Sequence, residues 1–137
     1  MEVQRRLIQP AELRAETTAS VGFFGEPFKL TCQDLEPFRR QRVFARRYLP
    51  FLKTLADFDI TSEVGFHELS AAPLTVKQLL LLELAPPVTV FRRLNRLCDL
   101  GIIVRTRSLR DRRVHELRLA PAVHRLFAMY SQGGESH

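Results

Sequence analysis

One stretch of this 137-residue chain leaves few ways to fold. From Val88 to Leu100, Val90, Leu94, Leu97 and Cys98 recur at helical spacing on one side, while Arg92, Arg93 and Arg96 face outward. Gly101 follows at once and suits the left-handed conformation that closes a helix. Ile102 to Arg107 then alternates as a strand, Ser108 to Arg112 reads as a hairpin tip, and Arg113 to Leu119 reads as the return strand, with Val114 and Leu117 as packing residues. Upstream, Leu74 to Leu84 is apolar on nearly every side and predicts a buried helix capped by Thr75, and Ala85-Pro86-Pro87 is a turn. Helix, tight turn, helix and two-stranded wing form the order of a winged helix-turn-helix. The expected fold class is mainly α with a small two-stranded β-wing, preceded by N-terminal helices.

Charge is concentrated on the same stretch. Between Ala85 and Leu119 lie nine arginines (92, 93, 96, 105, 107, 110, 112, 113 and 118) against Asp99, Asp111 and Glu116, an excess equal to the formal net charge of +6. The rest of the chain is balanced, with twelve basic and twelve acidic residues. A localised excess on a helix and hairpin is the electrostatic footprint of a surface that meets a polyanion. For Arg92, Arg93 and Arg96 the bland alternative is a solvated helix face, normal for an amphipathic helix. It is weakened because no acidic residue other than Asp99 lies one turn away. For Asp111-Arg112-Arg113 the alternative is a polar turn with a surface ion pair, worth at most about 1 kcal/mol. A tip carrying Arg105, Arg107, Arg110, Arg112 and Arg113 together repels itself unless a polyanion is present. Thr89 reads equally as a helix cap or a base contact. Phe91 reads as core, with contact to a thymine methyl group as the alternative.

The remainder is less informative. A single domain is expected over 1–137, with N-terminal arm and helices over 1–60, the winged unit over 61–121, and a short C-terminal helix and tail over 122–137. Pro10-Ala-Glu-Leu can open a short helix, and Val21 to Lys29, with Gly22, Gly25 and Pro27 among phenylalanines, reads as an irregular apolar arm. Asp34 is expected to cap a helix from Leu35 to about Asp57 that Pro50 kinks or divides, and Thr61 or Ser62 to cap a short helix through Leu69. Pro121 opens a last helix to about Tyr130. The phenylalanines at 23, 24, 28, 38, 44, 51, 58 and 66 are expected in the core and in a dimer interface. Arg39, Arg40, Arg42, Arg46 and Arg47 form a second basic cluster, read as a solvated face with ion pairs to Glu63, Glu68 or N-terminal acids.

Several function classes find no support. The two cysteines, Cys32 and Cys98, and four scattered histidines show no metal-ligand spacing, so neither metal nor cofactor is expected. There is no paired-carboxylate arrangement, phosphate-cradling glycine loop or nucleophile elbow, so no catalytic residue is assigned and an enzyme is not expected. No apolar run is long enough to span a membrane and the N-terminus lacks a signal-peptide core, which points to the cytoplasm.

The winged stretch resembles the MarR family of bacterial regulators. The resemblance rests on Thr89, Val90, Arg92 and Leu94, then on Arg96-Leu97 with Gly101-Ile102-Ile103 and Arg105, on Asp111-Arg112-Arg113 at the tip, and on Leu117-Arg118-Leu119. It covers roughly Leu74 to Pro121. It implies that Arg113 enters a minor groove and that Asp111 orients it. The charge pattern and the helix-and-wing order add Val88, Thr89, Arg92, Arg93, Arg96, Arg105 and Arg107 to the expected DNA-binding set, with Arg110 and Arg112 as phosphate contacts. Pro86-Pro87, Phe91 and Ala120-Pro121 depart from the family pattern, and its long C-terminal dimerisation helix is short or missing. The expected function is sequence-specific binding of double-stranded DNA as a transcriptional regulator, a repressor on family grounds. It would act as a homodimer through the N-terminal helices on a pseudo-palindromic site. The alternative is a winged-helix interaction or accessory module with weak, non-specific DNA binding. A small-molecule effector is compatible with the phenylalanine-rich half, but no convergent polar set marks its site.

Overall fold

A computed structural model describes residues 28–135. The expected helix at Pro10 and most of the apolar arm, including Phe23 and Phe24, lie outside the described residues. The chain divides into two compact units between Val43 and Phe44, and the division falls within helix α1, Cys32–Tyr48.

In the first unit, Thr31 begins α1. Its hydroxyl accepts from the Asp34 backbone N–H at 3.2 Å, and Asp34 Oδ2 accepts from the Thr31 N–H at 2.9 Å. This reciprocal pair corrects the expected cap: Asp34 is three residues into the motif and Thr31 is the cap. Leu35, Phe38 and Val43 are exposed, as is Phe28 before the helix. The expectation that these phenylalanines are core does not hold for Phe28 and Phe38. Arg39 meets Glu36 one turn back at 3.6 Å, a solvent-exposed pair.

In the second unit, α1 ends at Tyr48 and a new helix, α2, runs over Leu55–Leu69. Pro50 divides the expected long helix. The restart has its own signal in Thr54-x-x-Asp57: Thr54 Oγ1 accepts from the Asp57 N–H, and the Asp57 carboxylate accepts from the Thr54 N–H. Thr61 and Ser62, read as caps of a short helix, therefore lie inside α2. Helix α3 is Val76–Leu81, capped as expected by Thr75, whose partner in the capping box is Gln78. It is shorter than expected and not buried all round, because a helix of six residues offers one face to the core: Leu79 is buried and Leu81 exposed. Helix α4 is Pro87–Asp99. Pro87 stands at the first helical position, where the missing N–H costs nothing, and no side chain caps the helix, so Thr89 is not a cap.

Gly101 closes α4 with φ of 75°. A Cβ there meets open space, so Gly101→Ala is expected to cost about 1 kcal/mol in backbone strain alone, measured by urea unfolding. Strands β1 (Ile103–Arg107) and β2 (His115–Leu119) pair antiparallel, with Ile103 opposite Leu119 and Arg107 opposite His115. The return strand begins two residues later than expected, which leaves Arg113 in the turn. Leu117 N–H also donates to Leu74 O at 2.8 Å, and Thr75 bridges Glu116, so the start of α3 is stitched to the wing. Helix α5 is Pro121–Glu135, longer than expected.

One core joins these parts. Ile60 and Val64 of α2, Leu79 of α3, Val90, Leu94 and Leu97 of α4, Ile103 and Leu117 of the wing, and Val123 of α5 are all buried. Gly65 lets α2 meet the wing closely: a Cβ there would stand 2.6 Å from Leu119 Cδ1. Glu68 joins the far end of α2 to the strand–helix junction, accepting from Leu119 N–H at 2.9 Å and lying 3.0 Å from His124 Nε2.

Candidate nucleic-acid interface

The outer face of α4 follows from its periodicity. Val88, Phe91, Arg92, Asn95 and Asp99 are exposed at intervals of three and four, opposite buried Val90, Leu94 and Leu97. Phe91 is therefore not core, which corrects the expectation. It sits on the flank of the outer face, 46% exposed, because the core side of the helix is already filled by Leu94 and Val90.

The three α4 arginines separate. Arg92 is exposed and makes no hydrogen bond or ion pair with any described residue. Arg93 is turned inward onto Asp57, with Nε to Oδ1 at 2.7 Å and Nη2 to Oδ2 at 2.5 Å. Arg96 donates to the Phe51 carbonyl at 2.9 Å and lies 3.5 Å from the same carboxylate. Their side chains are 18% and 31% exposed, and Asp57 is fully buried. The outward orientation expected for Arg93 and Arg96 fails because their acidic partner is 36 residues away from Arg93 in sequence, out of reach of any search one helical turn either side.

Asp57 is the functional-looking residue that sequence reasoning missed. Burial pushes its pKa up. The bidentate Arg93 guanidinium and the N–H groups of Lys53 and Thr54 outweigh that and hold it below the ordinary carboxylate value. The Thr54-x-x-Asp57 spacing signalled its capping half; nothing local signals the partner on α4.

The wing tip is a compact turn built from its own polar groups. Ser108 N–H donates to Val114 O at 2.9 Å, and the nearly buried Ser108 hydroxyl accepts from Arg110 N–H at 3.1 Å. Asp111 Oδ1 accepts from the Arg113 backbone N–H at 3.0 Å and from its Nε at 3.2 Å, while the Arg113 side chain is 91% exposed. These bonds lower the Asp111 pKa and fix the direction in which Arg113 leaves the turn. Arg107, Arg110 and Arg112 are exposed, and their guanidinium groups have no partner among the described residues. Arg105 Nη2 donates to Asn95 Oδ1 at 2.6 Å and ties the wing to α4. Arg118 is engaged by Glu116 and Thr106. Of the ten positions expected to face DNA, the structure thus presents Val88, Arg92, Arg107, Arg110, Arg112 and Arg113 outward. It half-buries Thr89, commits Arg105 to Asn95, and turns Arg93 and Arg96 inward.

Such a wing beside a helix has known counterparts. A point mutant of S. aureus MepR bound to oligodeoxyribonucleotide aligns with a TM-score of 0.53 and 13% identity, over 79% of this chain and 82% of that one. A crystal structure of MarR aligns with a TM-score of 0.50 and 22% identity, over 72% and 70%. The fold is the MarR-type winged helix. The reduced form of MarR from E. coli aligns likewise, with a TM-score of 0.50 and 20% identity over 77% of each chain. No protein-family model and no curated protein matches the sequence. The MarR-type elements here carry one further feature, an open apolar groove of about 530 Å3 between α2 and α5, lined by Phe66, Leu69, Leu119 and Phe127 among others. The buried Thr61 hydroxyl on its wall has no hydrogen-bond partner among the described residues. Phe66, one of the phenylalanines expected in the core and in a dimer interface, is not core and is exposed on its rim. No helix among the described residues is long and apolar enough to cross a membrane.

Proposed function

We propose that this protein is a transcriptional regulator that binds double-stranded DNA at specific sequences, a repressor acting as a homodimer on a pseudo-palindromic site in the cytoplasm. The observation that carries the reading is the set of exposed guanidinium groups without partners among the described residues, Arg92 on α4 and Arg107, Arg110 and Arg112 on the wing, next to the directed Arg113. Unpartnered arginines on adjoining elements repel one another, and a phosphate backbone relieves that repulsion. A helix fits the major groove with its N-terminal half at the base edges, and a wing arginine can enter the adjacent narrow minor groove. The MepR mutant of the same fold is bound to oligodeoxyribonucleotide, which supports DNA as the partner of this chain by analogy of fold alone.

In this reading Val88, Thr89 and Arg92 face the bases, and Arg105, Arg107, Arg110 and Arg112 lie along the backbone. Arg113, aimed by Asp111, enters the minor groove. Arg93 and Arg96 position α4 through Asp57 instead of touching DNA. The segment 1–60 supplies the dimer contact, with Leu35, Phe38 and Val43 as apolar surface for a second copy, and 61–121 supplies the DNA unit.

The test is duplex affinity as a function of salt. Log affinity is expected to fall linearly with log salt, and Arg113→Ala is expected to weaken binding by about 1–3 kcal/mol. A folded Arg113→Ala protein with unchanged affinity would remove the wing from the account. Weak binding without sequence preference would favour an accessory module.

A further inference from the structure

Building on the DNA-binding reading above, we infer that α4 recognises its site chiefly through thymine methyl groups, contacted by Val88 and Phe91, with Arg92 as the one charged base-reading side chain of the helix and the half-buried Thr89 beside it. Val88 is 76% exposed and Phe91 46% exposed, within the first five residues of a helix that begins at Pro87. That is the half of a recognition helix that reaches base edges. Neither side chain is needed by the core, where Val90, Leu94 and Leu97 already fill the opposite face. An exposed valine and a half-exposed phenylalanine flank Arg92 on the same outer face, so an apolar patch and a cation are presented together.

The other arginines and the amide of α4 are already engaged. Arg93 and Arg96 are held by Asp57, and Arg96 also by the Phe51 carbonyl. Asn95, which would need its carbonyl oxygen to pair with adenine, has that oxygen bonded to Arg105 at 2.6 Å. Of the three α4 arginines, Arg92 alone keeps a guanidinium without a partner among the described residues, suited to guanine or to phosphate. The C5-methyl group of thymine is the apolar feature among the four base edges in the major groove. Val88 and Phe91 offer apolar surface there and no hydrogen-bonding group. The site is therefore expected to hold thymines at fixed positions, flanking a position read by Arg92. The unpaired charge on Arg92 and on the neighbouring wing favours DNA over an apolar protein partner as the occupant of this face.

The experiment replaces each thymine of a selected high-affinity duplex, one at a time, by deoxyuridine. This removes only the methyl group and keeps every hydrogen-bonding edge. Affinity is measured at fixed salt for the full chain and for Val88→Ala and Phe91→Ala, with thermal melting to confirm that each variant folds. Two or more thymines are expected to lose roughly fourfold in affinity on losing the methyl group. Val88→Ala is expected to abolish that sensitivity at one of them and Phe91→Ala at another. If no deoxyuridine substitution weakens binding while Arg113→Ala still does, methyl recognition is wrong and the DNA-binding reading stands. If sensitivity is present but unchanged in both variants, other residues read the methyl groups and the assignment is wrong. If no duplex is bound above background, both readings fall. Loss of binding to a protein partner, without loss on DNA, in Val88→Ala or Phe91→Ala would reassign the patch to a protein contact.

Discussion

Asp57→Ala is expected to lower the stability of the folded chain by about 3–5 kcal/mol, more than the removal of an exposed ion pair such as Arg39–Glu36. The carboxylate is fully buried and serves four donors: the backbone N–H groups of Lys53 and Thr54, and two guanidinium nitrogens of Arg93. Removing it leaves a largely buried cation without its counter-charge and two donors at the start of α2 without an acceptor. Arg93→Met is expected to cost less, because Asp57 keeps its two backbone donors and the Arg96 charge nearby. Urea unfolding of the two single variants and the double variant measures the coupling. An Asp57→Ala loss below about 1 kcal/mol would show that the clamp does not hold α4.

The same group gives a pH signature. Its folded pKa lies below the unfolded value, so its contribution is complete above the ordinary carboxylate range. It is lost as pH falls through the lowered value, because the unfolded chain then binds a proton more readily than the folded one. The stability gap between the wild type and Asp57→Ala is therefore expected to be constant near neutrality and to shrink in acid. A gap that widens on acidification would contradict the paired, ionised state.

The second large effect concerns the wing. Replacing Arg107, Arg110, Arg112 and Arg113 together by Ser is expected to reduce the salt slope of duplex binding by roughly 3 for each bound copy of the chain, about 0.9 for each phosphate that Arg107, Arg110 and Arg112 no longer neutralise. At moderate salt, affinity falls by about three orders of magnitude for each bound copy, with each arginine contributing about 1 kcal/mol. Stability should hardly change, since three of the four side chains have no partner among the described residues and Arg113 meets only Asp111, in an exposed pair. Fluorescence anisotropy over a salt series, with melting as control, reads both. An unchanged slope would place the phosphate contacts elsewhere.

The winged unit was legible because each of its parts carries a local signal. The helical spacing of Val90, Leu94 and Leu97, the Gly101 stop and the alternation around Ile103 and Leu117 each depend on residues close in sequence. The Thr75 cap was legible for the same reason. The missed features divide by cause. The cap at Thr31 was hidden because Asp34, the other half of the reciprocal pair, reads as a cap by itself, and the Thr54-x-x-Asp57 restart because a helix kinked or divided at Pro50 was expected to end near Asp57 rather than to begin there. The direction of Arg93 and Arg96 was not legible at all, because it depends on a carboxylate brought beside α4 by the packing of α2. Phe91 was misplaced because residue type suggested burial, whereas its angular position, between Val88 and Asn95 on the exposed side, decides the outcome. The basic candidate set was thus readable as a patch of charge. Its separation into positioning arginines and presented arginines required the tertiary structure.

The most direct test of the central claim is selection of bound sequences from a random duplex library, followed by the mass of the complex on the enriched duplex at moderate salt. The account predicts an inverted repeat whose half-sites are spaced by about one DNA turn, bound by two copies of the chain. Recovery of no enriched sequence, with only weak salt-sensitive binding, would contradict a sequence-specific regulator.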